Sequence, residues 1–213
     1  MDFTVSEEHL AIRSAIEQIC ARFPLDYWLE KDKNGGFPHD FHKAFADAGW
    51  LGVAMPEEYG GAGLPLRAAA VILETIHKHG CNAGACHAQM YIMGTVLRHG
   101  SKEQKERYLP KIATGELRLQ AFGVTEPSSG TDTLSLRTTA VKKNNSTYVV
   151  NGQKVWTSRA EHSDLMLLLA RTTPRDQVQK RTDGLSTFIV DMRASLGKGL
   201  SIRPIRTMMN HNS

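Results

Sequence analysis

Hydroxyls, small residues and one glycine are gathered in Thr125-Glu126-Pro127-Ser128-Ser129-Gly130-Thr131-Asp132, directly after the apolar run Leu119-Gln120-Ala121-Phe122-Gly123-Val124. Where an apolar strand ends in such a turn, backbone N–H groups and Oγ atoms face outward with little side chain to shield them, which suits the holding of a polar ligand. Further along, Lys154-Val155-Trp156-Thr157-Ser158 again combines apolar and hydroxyl residues, here around an aromatic. Together the two segments point to a cofactor. Singly, each has a plainer reading, since an ordinary strand-ending turn has the same composition and a strand tryptophan is commonly core. The turn has no Lys-Ser/Thr after its glycine and no G-x-G-x-x-G spacing with a following helix, so it is neither a Walker loop nor a dinucleotide fingerprint.

Other reactive side chains form no comparable pattern. Cys20, Cys81 and Cys86 are too few and too irregularly spaced for a disulfide framework or a closed zinc site, and Cys86-His87 has no second spaced pair, so no metal is expected. His77, His79, His87 and His99 are scattered along helical segments and read as packing or surface. A net charge of +4 with no interleaved aromatics gives no nucleic-acid footprint, though it suits a phosphate-bearing small molecule. The longest stretch without Asp, Glu, Lys or Arg, Cys81 to Leu97, carries Asn82, His87, Gln89 and Tyr91, so a buried helix is expected and not a membrane span. The N-terminus is acidic where a targeting peptide would be basic, so a cytoplasmic protein with reduced thiols is expected.

The elements that must position the two segments fall into two halves. Up to about Leu117 the pattern is helical. Ser6 is placed to cap a helix carrying Ile12, Ala15, Ile16, Ile19, Cys20 and Phe23 at helical spacing, and Pro24 marks its end or a break. Phe41, Phe45 and Ala48 share a face of a short helix from near Pro38 to Gly49, and residues 50–61 read as an ordered, buried crossover. After Pro65 a helix is expected with Leu66, Ala70, Leu73 and Ile76 on its packed face and a Glu74–Lys78 pair, ended by Gly80. The uncharged helix follows, then a capping box at Ser101 and Gln104 opens a helix that Pro110 is expected to close.

From Leu119 the period becomes two. Leu134, Leu136, Thr138 and Ala140 alternate with their neighbours, and Asn144-Asn145 and Asn151-Gly152 are expected as hairpin turns on either side of residues 147–150. Residues 165–170 and 185–190 read as central strands separated by a charged loop. The expectation is a multidomain α and β chain: an all-α helical domain at 1–118, then an antiparallel β-barrel or sandwich domain at 119–213.

A six-helix N-terminal segment, Pro56-Glu57-Glu58-Tyr59-Gly60-Gly61, the Thr125-Glu126-Pro127 turn ending in Gly130-Thr131-Asp132, and Gly152-Gln153-Lys154-Val155-Trp156 together resemble the acyl-CoA dehydrogenase family over essentially the whole chain. The resemblance implies a flavoprotein that holds FAD and oxidises the Cα–Cβ bond of an acyl-CoA thioester, passing electrons to electron-transfer flavoprotein or a similar acceptor, and forming a homo-oligomer when complete. It also implies that Phe122, Val124 and Thr125 contact the flavin ring, with Thr125 at its pyrimidine edge. Gly130 and Thr131 would meet the cofactor's phosphates, Thr131 lying also near the CoA portion of the substrate. Trp156 would cover the ring face away from substrate, and Ser158, with Thr157 adjacent, would reach toward N5.

Two departures from the family pattern are conservative. Thr131 replaces a frequent serine, and Thr157-Ser158 stands where an apolar residue and threonine are usual. A larger one is the lack of the second helical bundle that supplies the family's catalytic glutamate. No residue here matches that base, no catalytic residue is assigned, and the reading frame is expected to continue beyond Ser213, the β domain being incomplete at its C-terminal end. The alternatives are a non-catalytic flavin or acyl-CoA binding module, and a flavin oxidase or monooxygenase of the same superfamily.

Overall fold

The computed structural model describes residues 5–207, so the first four residues of the acidic N-terminus and most of the 205–211 stretch, where another strand is expected, lie outside the described residues. By its internal packing the chain divides into two compact units, one running to Leu119 and the next beginning at Gln120.

The first unit contains six helices: α1 Glu7–Cys20, α2 Leu25–Asn34, α3 His39–Asp47, α4 Leu66–Lys78, α5 Gly84–His99 and α6 Lys102–Ala113. Ser6 caps α1 through the His9 amide at 3.3 Å, and Ile12, Ile16, Ile19 and Cys20 are buried as their spacing requires. The crossover between α3 and α4 is two short 3-10 turns that bury Leu51, Val53 and Met55.

Three helical expectations change. No sequence signal marked α2; Pro24 begins it, and no residue of it is fully buried, so it carries no apolar stripe to find. On α4 the packed face is Ala68, Ala69, Val71, Ile72, Thr75 and Ile76, while Leu66 and Ala70 are exposed. Small alanines allow close approach to α1, and Glu74 pairs with Arg13 of α1 at 3.2 Å and not with Lys78. The capping box of α6 is present, but the helix continues through Pro110 to Ala113. Proline's φ is already helical, and in the last turn only one intrahelical bond is lost.

The second unit is built on β1 Leu119–Gly123, β2 Thr139–Lys142, β3 Tyr148–Asn151, β4 Leu165–Arg171 and β5 Leu185–Asp191, with a short helix, α7 Met192–Ser195. The strand order is β1-β4-β2-β3, and β5 pairs with β4 along its length from Leu165↔Asp191 to Arg171↔Leu185. Most pairing is antiparallel, as expected, but β2 meets β4 in parallel at Thr139↔Arg171, so the sheet is mixed. Of the two strands expected to be central only β4 is, since β5 pairs with no strand but β4 among the described residues.

The Asn144-Asn145 turn joins β2 to β3, with Asn144 Oδ1 accepting from the Ser146 amide at 3.0 Å. Asn151-Gly152 does not make a hairpin, because residues 152–157 form no strand and neither residue has positive φ. Gly152 is required for another reason: a Cβ there would lie 2.2 Å from Thr138 Oγ1. The alternating stretch at 134–141 is likewise shortened, since Thr133–Ser135 is a 3-10 turn and the strand begins at Thr139. Alternation still holds where it matters, with Leu136, Thr138 and Ala140 buried.

Candidate functional site

β1 starts at a fixed point. Ser163 Oγ accepts from the amides of Gln120 (2.8 Å) and Ala121 (3.0 Å) and donates to the Leu165 carbonyl at 2.6 Å. The chain leaves β1 with Phe122 exposed and Val124 and Thr125 half-buried, then closes a tight turn in which Glu126 and Ser129 exchange backbone hydrogen bonds of 2.9 and 3.1 Å. Pro127 and Ser128 form its corner, where proline's fixed φ suits the first turn position. On the outgoing limb Ser129 Oγ donates to the Asp132 carbonyl at 2.6 Å, and Arg181 Nη2 donates to both Asp132 carboxylate oxygens at 3.0 Å. The Ser135 hydroxyl, first, and then Arg181 hold the Asp132 carboxyl below its ordinary range. Gly130 and Thr131 are exposed, and a Cβ on Gly130 would meet nothing within 4 Å.

Under this turn lies a buried ion pair. The side chains of Glu126 and Lys154 are 4% and 9% exposed, with Lys154 Nζ 2.9 Å from Glu126 Oε1. Lys154 also donates to the Val124 carbonyl at 3.0 Å. The Glu126 carboxylate accepts from the amides of Arg137 (2.6 Å) and Thr138 (2.9 Å) and from Thr138 Oγ1 (2.5 Å). Burial alone would push the Glu126 carboxyl up, but bonds from the Thr138 hydroxyl, Lys154 and the two amides outweigh it and bring the pKa to about 2. One further bond, Val155 N to Thr125 O at 2.9 Å, ties the turn to the second segment.

That second segment is strained. Trp156 (φ 60°) and Arg159 (φ 64°) are the two non-glycine residues with positive φ among the described residues. An L-residue held there costs about 1–2 kcal/mol, and for a bulky indole the conformation needs support from its surroundings. The indole is 59% exposed. Next to it Thr157 Oγ1 is buried with no hydrogen-bond partner, and Ser158 is exposed, its amide donating to the Trp156 carbonyl at 3.0 Å. A large exposed aromatic on a strained backbone, beside an unsatisfied hydroxyl, is an arrangement a flat ligand with a polar edge would complete.

The segments singled out in the sequence are therefore joined where Val124, Thr125 and Glu126 meet Lys154 and Val155. Lys154-Val155-Trp156 forms no strand, as its positive-φ tryptophan requires. Sequence reasoning gave no individual role at the site to Glu126 or Lys154, and read Thr138 as a strand position and Gly152 as part of a hairpin turn. Two opposite charges inside otherwise apolar and hydroxyl-bearing segments were the available signal, but pairing across that separation is invisible without the fold. No group of three or more His, Cys, Asp or Glu residues that could hold a metal ion occurs among the described residues, and no helix there is long and apolar enough to cross a membrane.

Comparison with known proteins bears on both units. Residues 6–116 match the family model for the acyl-CoA dehydrogenase N-terminal domain, and residues 121–213 match that for the middle domain. The cyclohex-1-ene-1-carbonyl-CoA dehydrogenase of Syntrophus aciditrophicus is 34% identical over 189 residues, covering 88% of this chain and 44% of the relative. The 3-(aryl)acrylate reductase of Clostridium sporogenes is 36% identical over 198 residues, covering 91% and 51%. Among solved structures, the ChsE4-ChsE5 complex from Mycobacterium tuberculosis superposes with a TM-score of 0.81 at 29% identity, covering all of this chain and 54% of that one. The chain thus spans about half the length of the relatives it matches.

Proposed function

Because the chain belongs to the acyl-CoA dehydrogenase family, we propose that it supplies one wall of an FAD site in a protein that oxidises the Cα–Cβ bond of an acyl-CoA thioester. The observation that carries this reading is the exposed, left-handed Trp156 beside the buried, unpartnered Thr157 hydroxyl. Bound FAD would accept the hydride that leaves the substrate's β-carbon.

The chain's own residues bind, orient and shield. Phe122, Val124 and Thr125 would contact the flavin ring, with the Thr125 hydroxyl at its pyrimidine edge as a preorganised group for a ring that gains negative charge. Trp156 lies over one face and excludes water from it. The Ser158 hydroxyl, on an exposed residue, would reach toward N5, with Thr157 adjacent. Gly130 and Thr131 face the phosphates, and Thr131 also meets the CoA portion of the substrate; the open space over Gly130 supports this.

No residue of this chain is assigned as the base that removes the α-proton. The proposed division is a helical domain at 1–118 and a β domain at 119–213, in a cytoplasmic homo-oligomer that uses electron-transfer flavoprotein or a similar acceptor. A relative solved as a two-component complex supports assembly with another chain.

Titration of FAD into the purified 213-residue chain, followed by tryptophan quenching and by the flavin's visible spectrum, tests the reading. Saturable binding that is lost in Trp156→Ala is expected; a chain that neither quenches nor perturbs the flavin overturns it. Anaerobic addition of acyl-CoA to the flavin-loaded protein tests the chemistry: bleaching that persists until an electron acceptor is added is expected, and rapid recolouring with release of hydrogen peroxide once oxygen is admitted would indicate an oxidase instead.

A further inference from the structure

The Glu126–Lys154 pair has no part in the reading just given, yet it touches both segments of the candidate wall. We infer that Lys154 and Glu126 are positioning residues: one buried ammonium, shared between the Val124 carbonyl and the Glu126 carboxylate, sets the placement of the Val124–Thr125 edge and of Trp156 together. This rests on the flavin reading for its consequence, but its geometry is that of the protein alone.

Three stretches converge on the Glu126 carboxylate: its own turn, residues 137–138 through two amides and a hydroxyl, and Lys154. Each is held by a charged group buried to 9% exposure or less. Hydrogen bonds to an ionised partner are shorter and more directional than neutral ones, so such a node tolerates little displacement. Lys154 lies two residues before Trp156, and the intervening Val155 amide is itself bonded to Thr125. The room for the node is kept by Gly152, where a Cβ would strike Thr138 Oγ1. An isolated buried pair is seldom a net source of stability, and here it is placed where the backbone must be held in an unfavourable φ. The backbone restraint at Trp156 is what the pair provides.

The test uses the 213-residue chain labelled with 5-fluorotryptophan, whose three indoles are separate reporters, Trp156 beside the node and Trp28 and Trp50 in the helical unit. Lys154→Met removes the ammonium, and Glu126→Gln/Lys154→Met removes it without leaving a lone buried charge, so one variant keeps its fold if the other does not. In the double variant the Trp156 resonance should move or broaden while those of Trp28 and Trp50 stay, thermal unfolding should remain cooperative, and FAD affinity should fall about tenfold to a hundredfold. An unmoved Trp156 resonance in the folded double variant overturns the inference, whatever FAD does. If the parent chain takes up no FAD while Trp156 still responds to loss of Lys154, the positioning role stands and the flavin reading falls.

Discussion

The helical unit and the sheet unit are stabilised in different ways. In the first, Ile16, Phe41, Phe45, Leu51, Ile72 and Ile76 are all 0% exposed, and Phe41 packs on Phe23, Trp28 and Phe45 with ring centroids 4.8–5.2 Å apart. In the second, one apolar cluster is Ala121, Met166, Leu168 and Met192, and the buried carboxylates and guanidinium of the described residues, Glu126, Asp164 and Arg171, all lie there. Apolar packing is non-directional and tolerates approximate geometry, whereas buried charge holds its partners at defined distances and angles. The unit that carries the candidate site has accepted the costlier and more exact of the two.

That contrast can be broken by mutation. Phe45→Ala should cost about 4 kcal/mol, measured by chemical denaturation, because it empties a fully buried ring position. The Glu126 carboxyl, depressed from 4.5 to about 2, should contribute about 3 kcal/mol that is present above the ordinary pKa and lost as pH falls from about 4.5 toward 2. Denaturation midpoints between about pH 5 and about pH 2.5 should therefore drop in the parent chain, and this component should be missing from Glu126→Gln/Lys154→Met. Met166→Ala, in the smaller cluster, should cost only about 2 kcal/mol. A loss equal to that of Phe45→Ala would erase the distinction between the units. Smallest in size and opposite in sign, Thr157→Val should stabilise the ligand-free chain by about 1 kcal/mol, since it removes a buried hydroxyl without a partner, and should weaken FAD binding in the same titration. A destabilised Thr157→Val would show that the hydroxyl already has a structural use.

The two units also differed in how much of them could be read beforehand. Caps at Ser6 and Ser101 and the buried run after Cys81 are local signals, and they describe the helices that carry them. Where the outcome depended on a neighbour, local reading failed. The face of α4 turned to put alanines, not Leu66, inward. Leu25–Asn34 formed a helix with no buried stripe to announce it. In the sheet, Asn151-Gly152 has the composition of a turn, but its glycine serves the close approach of Thr138.

Sequence alone determined the order of a helical region before a sheet region, the position of the hydroxyl-rich turn, and the resemblance that names a flavin as cofactor, because periodicity, capping and motif spacing are properties of neighbouring residues. Tertiary structure decided the rest. That Glu126 meets Lys154, that Gly152 must lack a side chain, and that Trp156 stands exposed on a left-handed backbone follow from packing segments far apart in the chain against one another. Charge burial and steric clearance exist only once those segments are brought together.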